Sequence, residues 1–343
     1  MKRSRSRRPG RRKGGGALLR RCAVGAFFAA FALLTQAAAA RAQSGGAPPA
    51  ECCKPLLVPL GGRATALGNA LAARSSVDAV YVNPAGLAGL TDDQVVVQRA
   101  STFAGEFTGL SVFFARPGIG TLGVTYRLAD LLEQEITDLN GQTIGRFAVR
   151  DHALLASFAT EVAAGLFAGF SYKLYHTGCS GLCGPDDASG TTHGVDLGVR
   201  IAPGPLPALR IGASVLSLGF PLQVVNRQQA DRLPTRLRVG AAYDLLAHLP
   251  AEVPLELWVS AEVSRTLGID PVTTIPAVGI ELSYRNTAFA RAGHVRGEGI
   301  EGWTAVGVGL EYDRFSVAVA RPFGQEVGDA EREPFQITFG VRF

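Results

Sequence analysis

Cys179 and Cys183 are the residues whose types and spacing most plainly could do chemistry. They lie in Cys-Ser-Gly-Leu-Cys, with His176 before and His193 after. Thiolates and imidazoles this close can hold a zinc ion. In an exported chain such a pair more often closes a disulfide. The disulfide is the expectation here, with no metal and no cofactor. Cys52 and Cys53 are adjacent, and Pro49-Ala50-Glu51 before them does not resemble a lipoprotein box. His152, His248 and His294 have no partner at catalytic spacing. No nucleophile elbow, phosphate-binding glycine loop or zinc-protease helix pattern occurs, so no enzymatic activity is expected.

A second set of reactive side chains sits on alternate positions of otherwise apolar segments. These are Arg127, Lys173, Asp196, Arg200, Arg236, Arg238, Asp244, Glu256, Glu262 and Glu311. Successive side chains of a strand point to opposite faces. Leu255, Leu257, Val259, Ala261 and Val263 therefore oppose Glu256, Trp258, Ser260, Glu262 and Ser264. At the C-terminus Phe335, Ile337, Phe339, Val341 and Phe343 oppose Gln336, Thr338, Gly340 and Arg342. One face is apolar and the other is polar or small. Strands of about ten residues with this pattern suit a tilted membrane crossing. The charged set then faces a lumen, as a substrate path, as a seat for a plug, or as pairs neutralising one another.

The elements that must position these residues number fourteen: about 94–101, 107–115, 119–128, 147–159, 165–175, 193–202, 208–216, 236–246, 255–264, 277–285, 287–296, 303–312, 314–321 and 334–343. If the first runs outward, the inner connections are short, as at Pro117-Gly118 and Arg285-Asn286. The outer ones (102–106, 129–146, 176–192, 217–235, 265–276, 297–302, 322–333) are mostly long and polar. Sorting of loops by parity marks a transmembrane barrel. Tyr126, Tyr175, Tyr284 and Tyr312 are expected in its interfacial girdle. The terminal aromatic Phe343 is the expected signal to the barrel-assembly machinery. The fold class is thus all-β, an antiparallel barrel over 94–343 in outer-membrane lipid.

Residues 1–42 carry 11 of the 34 basic residues and none of the 29 acidic ones. An apolar stretch and Ala40-Arg41-Ala42 complete the pattern of a cleaved signal peptide. Its removal leaves 23 bases against 29 acids, a net of −6. The basic character belongs to that segment and does not argue for nucleic acid. Beyond it, no apolar run is long enough for a spanning helix.

Between signal and barrel lie residues 43–93, expected to fill the lumen as a hatch. Arg63–Arg74 reads as a short helix. In Asn83-Pro84-Ala85-Gly86 proline fixes φ while the asparagine bonds nearby backbone, which makes a turn. The block from Gly62 and Arg63 to Gly68, with Asp78 and then Asn83-Pro84-Ala85-Gly86, resembles the N-terminal signature of the PorV/PorQ family, within the FadL-like outer-membrane barrels. The resemblance implies a plugged barrel. It also implies an accessory role that binds secreted or envelope proteins, with uptake of a hydrophobic ligand as the alternative. Val82 departs from the bulky aromatic common among relatives.

Overall fold

The computed structural model describes residues 51–343 except 104, 184–187, 225–229, 251–252, 269–271, 298–299 and 325–332. The signal-peptide expectation for 1–42, and the first residues of 43–93, lie outside the described residues.

Fourteen strands follow one another: β1 (Gln94–Thr102), β2 (Gly105–Arg116), β3 (Gly120–Thr137), β4 (Thr143–Ala163), β5 (Leu166–Gly181), β6 (Ser189–Ile201) and β7 (Leu209–Gly219), then β8 (Arg236–Asp244), β9 (Leu255–Thr266), β10 (Thr274–Tyr284), β11 (Ala288–Gly297), β12 (Ile300–Tyr312), β13 (Phe315–Phe323) and β14 (Phe335–Arg342). Each pairs antiparallel with its neighbours in sequence, and β1 pairs with β14 to close the barrel. Closure leaves no unpaired sheet edge, which is what a strand protein in lipid requires. Among the described residues no helix is long and apolar enough to cross a membrane.

The period-two pattern decides which way each side chain faces. On β3, Leu122, Val124 and Tyr126 are exposed, whereas Thr121, Thr125 and Arg127 are buried. On β9 and β10, Val259, Val263, Val278 and Ile280 point out while Ser260, Glu262 and Glu281 point in. An apolar belt running right around the outside has no place in water and fits hydrocarbon. At Arg285-Asn286 both residues have positive φ (54° and 50°), the backbone that a tight hairpin demands.

Three expectations about the wall change. The connection expected over 129–146 is mostly strand, because β3 runs on to Thr137 and β4 begins at Thr143. Beyond the apolar belt both faces of this hairpin are wet, so alternation no longer marks it. Arg146 pairs there with Glu133 and Glu135, and Arg150 with Asp130. The connection expected over 176–192 shortens likewise, with β5 reaching Gly181 and β6 starting at Ser189. Tyr175 is not in the girdle. It shares parity with Lys173 and is buried inside, whereas Tyr126, Tyr284 and Tyr312 are exposed.

The helix expected over Arg63–Arg74 is also shorter. Helix α1 covers only Gly62–Ala66. Gly68 and Asn69 both take left-handed φ, 61° and 62°, and such residues end helices. Two 3-10 segments follow, Val77–Tyr81 and Pro84–Gly89. Side chains from Leu60 to Leu87 are mostly buried, against inward-facing residues of the wall.

Candidate functional site: the plugged lumen

The N-terminal segment is held by polar side chains of the wall. Near the outer end Arg236 grips the Glu51 carboxylate at 2.5 and 2.9 Å. Arg127 Nη2 donates to the carbonyls of Pro55 and Val58, at 2.5 and 2.8 Å. Arg127 also lies 5.5 Å over the Tyr81 ring. Gly61 and Gly62 then donate their N–H groups to Gln336 Oε1 (3.0 Å) and Thr338 Oγ1 (2.9 Å).

Helix α1 presses on a run of bare glycines. A Cβ on Gly279 would lie 2.6 Å from the Leu67 carbonyl oxygen, and one on Gly293 would lie 2.1 Å from the Gly68 nitrogen. Only hydrogen at those wall positions lets the backbones approach so closely.

Below α1 stands an ionic cluster. Arg63 donates Nε and Nη2 to Glu281 (2.9 and 2.8 Å), Arg74 Nη2 donates at 2.8 Å, and Arg291 Nε at 2.6 Å. Three guanidiniums thus converge on one buried carboxylate. Arg63 Nη1 is taken by the Ser75 carbonyl at 3.0 Å, and Arg74 lies 4.0 Å over the Trp258 ring. Asp78 accepts from Ala64 N–H (3.0 Å) and from Gln98 Nε2 (2.7 Å). Burial pushes the Asp78 carboxyl up to about 6 despite these bonds and the nearby Arg63. A second tether joins Glu262 with Arg238: Glu262 accepts from Ala72 N–H at 2.8 Å, and Arg238 donates to the Asn69 carbonyl at 2.7 Å.

The Asn-Pro-Ala-Gly turn is held differently. Asn83 is wholly buried. Its Nδ2 donates to the carbonyls of Ala72 (2.6 Å) and Val199 (3.0 Å), and its Oδ1 accepts from Ala85 N–H (3.1 Å). Pro84 opens the next 3-10 turn, where a missing N–H costs nothing. A Cβ on Gly198 would lie 1.9 Å from Asn83 Oδ1, and one on Gly169 would lie 2.2 Å from the Ala85 nitrogen. Ser214 donates to the Val82 carbonyl at 2.6 Å. Gly86 sits against the Arg74 carbonyl, where a Cβ would come within 2.7 Å.

The ten charged positions singled out in the sequence therefore do different things. Arg127, Arg236, Arg238 and Glu262 hold the plug. Lys173 and Asp196 pair within the wall at 3.0 Å, where β6 and β7 slip register. Asp244 accepts Leu246 and Leu257 N–H groups (3.1 and 3.3 Å), fixing an inner turn. Glu256 takes the Trp258 indole at 3.0 Å, Glu311 faces Arg342 at 3.2 Å, and Arg200 lies 4.0 Å over the Phe167 ring. Glu281, Arg291 and Arg74, the centre of the ionic cluster, were missed by the sequence reading. Parity could have found the wall pair, since Glu281 lies between Ile280 and Leu282 and Arg291 shares a face with Gly293.

Two cavities adjoin the N-terminal segment. The outer, of 470 Å³, is lined by Leu56, Leu60, Leu216, Ile275 and Trp303 and by the charged Glu51, Lys54, Lys173, Arg236, Arg238 and Glu262. The inner, of 230 Å³, lies against Arg63, Asp78, Leu90, Phe289 and Arg291. In the outer hairpins Cys179 and Cys183 form a disulfide, with Cα atoms 6.0 Å apart, and Cys52 pairs with Cys53 in the leader. His176 and His193 turn to Thr191 and Tyr172, each at 2.9 Å. Among the described residues no three His, Cys, Asp or Glu side chains are grouped to hold a metal.

No protein-family model matches the chain, and no curated protein matches it. Solved structures do. The toluene transporter TodX of Pseudomonas putida superposes with a TM-score of 0.58 at 12% identity, over 82% of this chain and 96% of its own. The monoaromatic hydrocarbon channel CymD gives 0.58 at 14% identity, over 84% and 98%. A FadL homologue of Pseudomonas aeruginosa gives 0.54 at 11% identity, over 87% and 100%. The narrower PorV/PorQ resemblance gains nothing from these comparisons. What the chain shares with these proteins is the fold, which in this chain is a closed barrel of fourteen antiparallel strands with a short helical N-terminal segment.

Proposed function

We propose that this protein is an outer-membrane channel for small hydrophobic molecules, with residues 43–93 as its hatch. The observation that carries this reading is the 470 Å³ outer cavity between hatch and wall. Its size is that of small-molecule sites, and its lining sets apolar side chains (Leu56, Leu60, Leu216, Ile275, Trp303) beside charged ones (Glu51, Lys173, Arg236, Arg238, Glu262) that are bonded to the hatch or to the wall. The fold likeness to a toluene transporter and to a hydrocarbon channel supports it. The sequence reading had counted the charged lumen against an apolar ligand, because unpaired buried charge is costly. That objection weakens, since most of those charges are engaged with the hatch or with one another. An accessory role in protein secretion has no such support.

In the same reading the chain is exported by a cleaved signal at 1–42. It is assembled into the bacterial outer membrane with Phe343 as its signal, and it acts without catalysis. Phe343 stands exposed at the barrel seam, its N–H bonded to the Asp93 carbonyl at 2.9 Å. The test is uptake of labelled toluene by cells expressing the intact barrel, against cells expressing a barrel that lacks 43–93. Hatch removal is expected to change uptake severalfold. Unchanged uptake, with an altered set of exported surface proteins, restores the accessory reading and ends this one.

A further inference from the structure

The leader crosses the outer part of the lumen between two grips. At one end Glu51 is paired with Arg236 of β8, and Cys52 N–H donates to the Arg232 carbonyl at 3.0 Å. At the other end Arg127 of β3 holds the carbonyls of Pro55 and Val58. Strands β3 and β8 are not neighbours in the wall, so residues 51–58 form a strap from one part of it to another. Along the strap Glu51, Lys54, Leu56, Leu57 and Val58 line the 470 Å³ outer cavity.

Between the grips stands a disulfide of adjacent residues, Cys52 and Cys53. Its ring encloses a single peptide unit. A loop this short adds little through chain entropy, so the bond acts on the local backbone instead. Cys53 has φ of 59°, a left-handed conformation that a residue with a Cβ avoids. From that bend the Leu56 N–H donates to the Cys53 carbonyl at 2.9 Å, which starts the 3-10 turn Lys54–Leu57 leading to the second grip. Cys53 is buried in a cluster with Tyr175, Leu222 and Leu233, whereas Cys52 is only half-buried. A reductant therefore meets Cys52 first.

We propose that the Cys52–Cys53 disulfide is a redox latch that holds the strap closed over the outer cavity. Its purpose, control of entry to that cavity, rests on the channel reading. A dithiol attacks the bond, and its own sulfurs end as a disulfide. Cys52 and Cys53 take up two electrons and two protons and become thiols. Freed from the ring, Cys53 returns to negative φ and redirects the chain between its grips. The strap then loses one grip and swings off the cavity.

The experiment uses the purified full-length barrel in detergent, carrying Cys179→Ser, Cys183→Ser and Trp258→Phe. Trp303, which lines the outer cavity, is then the only tryptophan, and its quenching by acrylamide reports access to the cavity. Dithiothreitol is expected to raise that quenching severalfold, and reoxidation to reverse it. Adding Cys52→Ser and Cys53→Ser is expected to give an open barrel that ignores dithiothreitol. Cys52→Ser with Cys53→Gly also lacks the bond, but glycine takes the left-handed backbone freely, so this pair is expected to be less open than the serine pair. The gel-mobility change on heating reports whether each variant is folded. Quenching that stays the same after thiol titration shows the bond reduced overturns the inference. So does a bond that resists dithiothreitol in the folded barrel, or a folded serine pair as closed as the oxidised protein. Toluene uptake separates this inference from the channel reading. Quenching that follows the redox state in a barrel whose cells take up no toluene leaves the latch standing and removes the channel.

Discussion

The two halves of the hatch are fastened by different physics. Residues 62–74 lie on bare glycines and are tied by charge, through Arg63 and Arg74 on Glu281 and through Glu262 on Ala72. Both cavities touch both halves. Residues 76–90 are fixed by close packing and neutral hydrogen bonds, with Asn83 sealed against Gly198. Ionic ties respond to salt, protonation and competing ligands, whereas a packed turn does not. The difference predicts that the first half gives way before the second.

Glu281→Gln is the sharpest way to break the comparison. It leaves three guanidiniums around a neutral amide, and breaking a buried ion pair costs about 3–5 kcal/mol. Limited proteolysis in detergent should then cut within 62–74 while 76–90 stays protected, and toluene uptake should rise severalfold. Cleavage of both halves together would show the hatch to be one cooperative unit.

Asn83→Ala tests the anchor. It strips partners from the Ala72 and Val199 carbonyls and from Ala85 N–H, each worth about 1–3 kcal/mol when left buried and unpaired. Thermal unfolding of the hatch should shift down, and proteolysis should now begin within 76–90. An unshifted transition would mean that the turn carries no anchoring load.

Asp78 links the halves, since it begins the second and accepts from Ala64 in the first. Its folded-state value, about 6, lies above the ordinary carboxylate value near ~4. A raised value means that folding favours the protonated form. Its stabilising effect is complete below about pH 4 and is lost as the pH rises through 6. Hatch stability followed by thermal unfolding should therefore fall between pH 4 and 6. Asp78→Asn should flatten that dependence; a slope unchanged in the variant assigns it elsewhere.

The outer hairpins supply a control with the smallest effect. The Cys179–Cys183 loop closes few residues, so its loss should cost about 2 kcal/mol at most. Replacing both cysteines by serine should leave hatch proteolysis untouched. Thiol labelling of intact cells should need prior reductant, and ready labelling without it would mean that the pair is not oxidised in the membrane.

Strand alternation is a local property with a period of two, so the sequence by itself determined the barrel, its fourteen strands and the face of nearly every wall residue. It also marked Asn83-Pro84 as a turn, because proline and asparagine act on their own backbone. Even Tyr175 was legible, since it shares parity with Lys173. The helix stopping at Ala66 was less so. Gly68 and Asn69 only permit the left-handed conformation, and it is the glycine run of β10 and β11 that makes the segment bend there. Which charges meet was decided by the tertiary structure alone. Arg63 and Glu281 lie 218 residues apart, and nothing near either of them in the chain names the other. Closing the barrel brings β10 opposite the hatch, and only then do three arginines share one carboxylate.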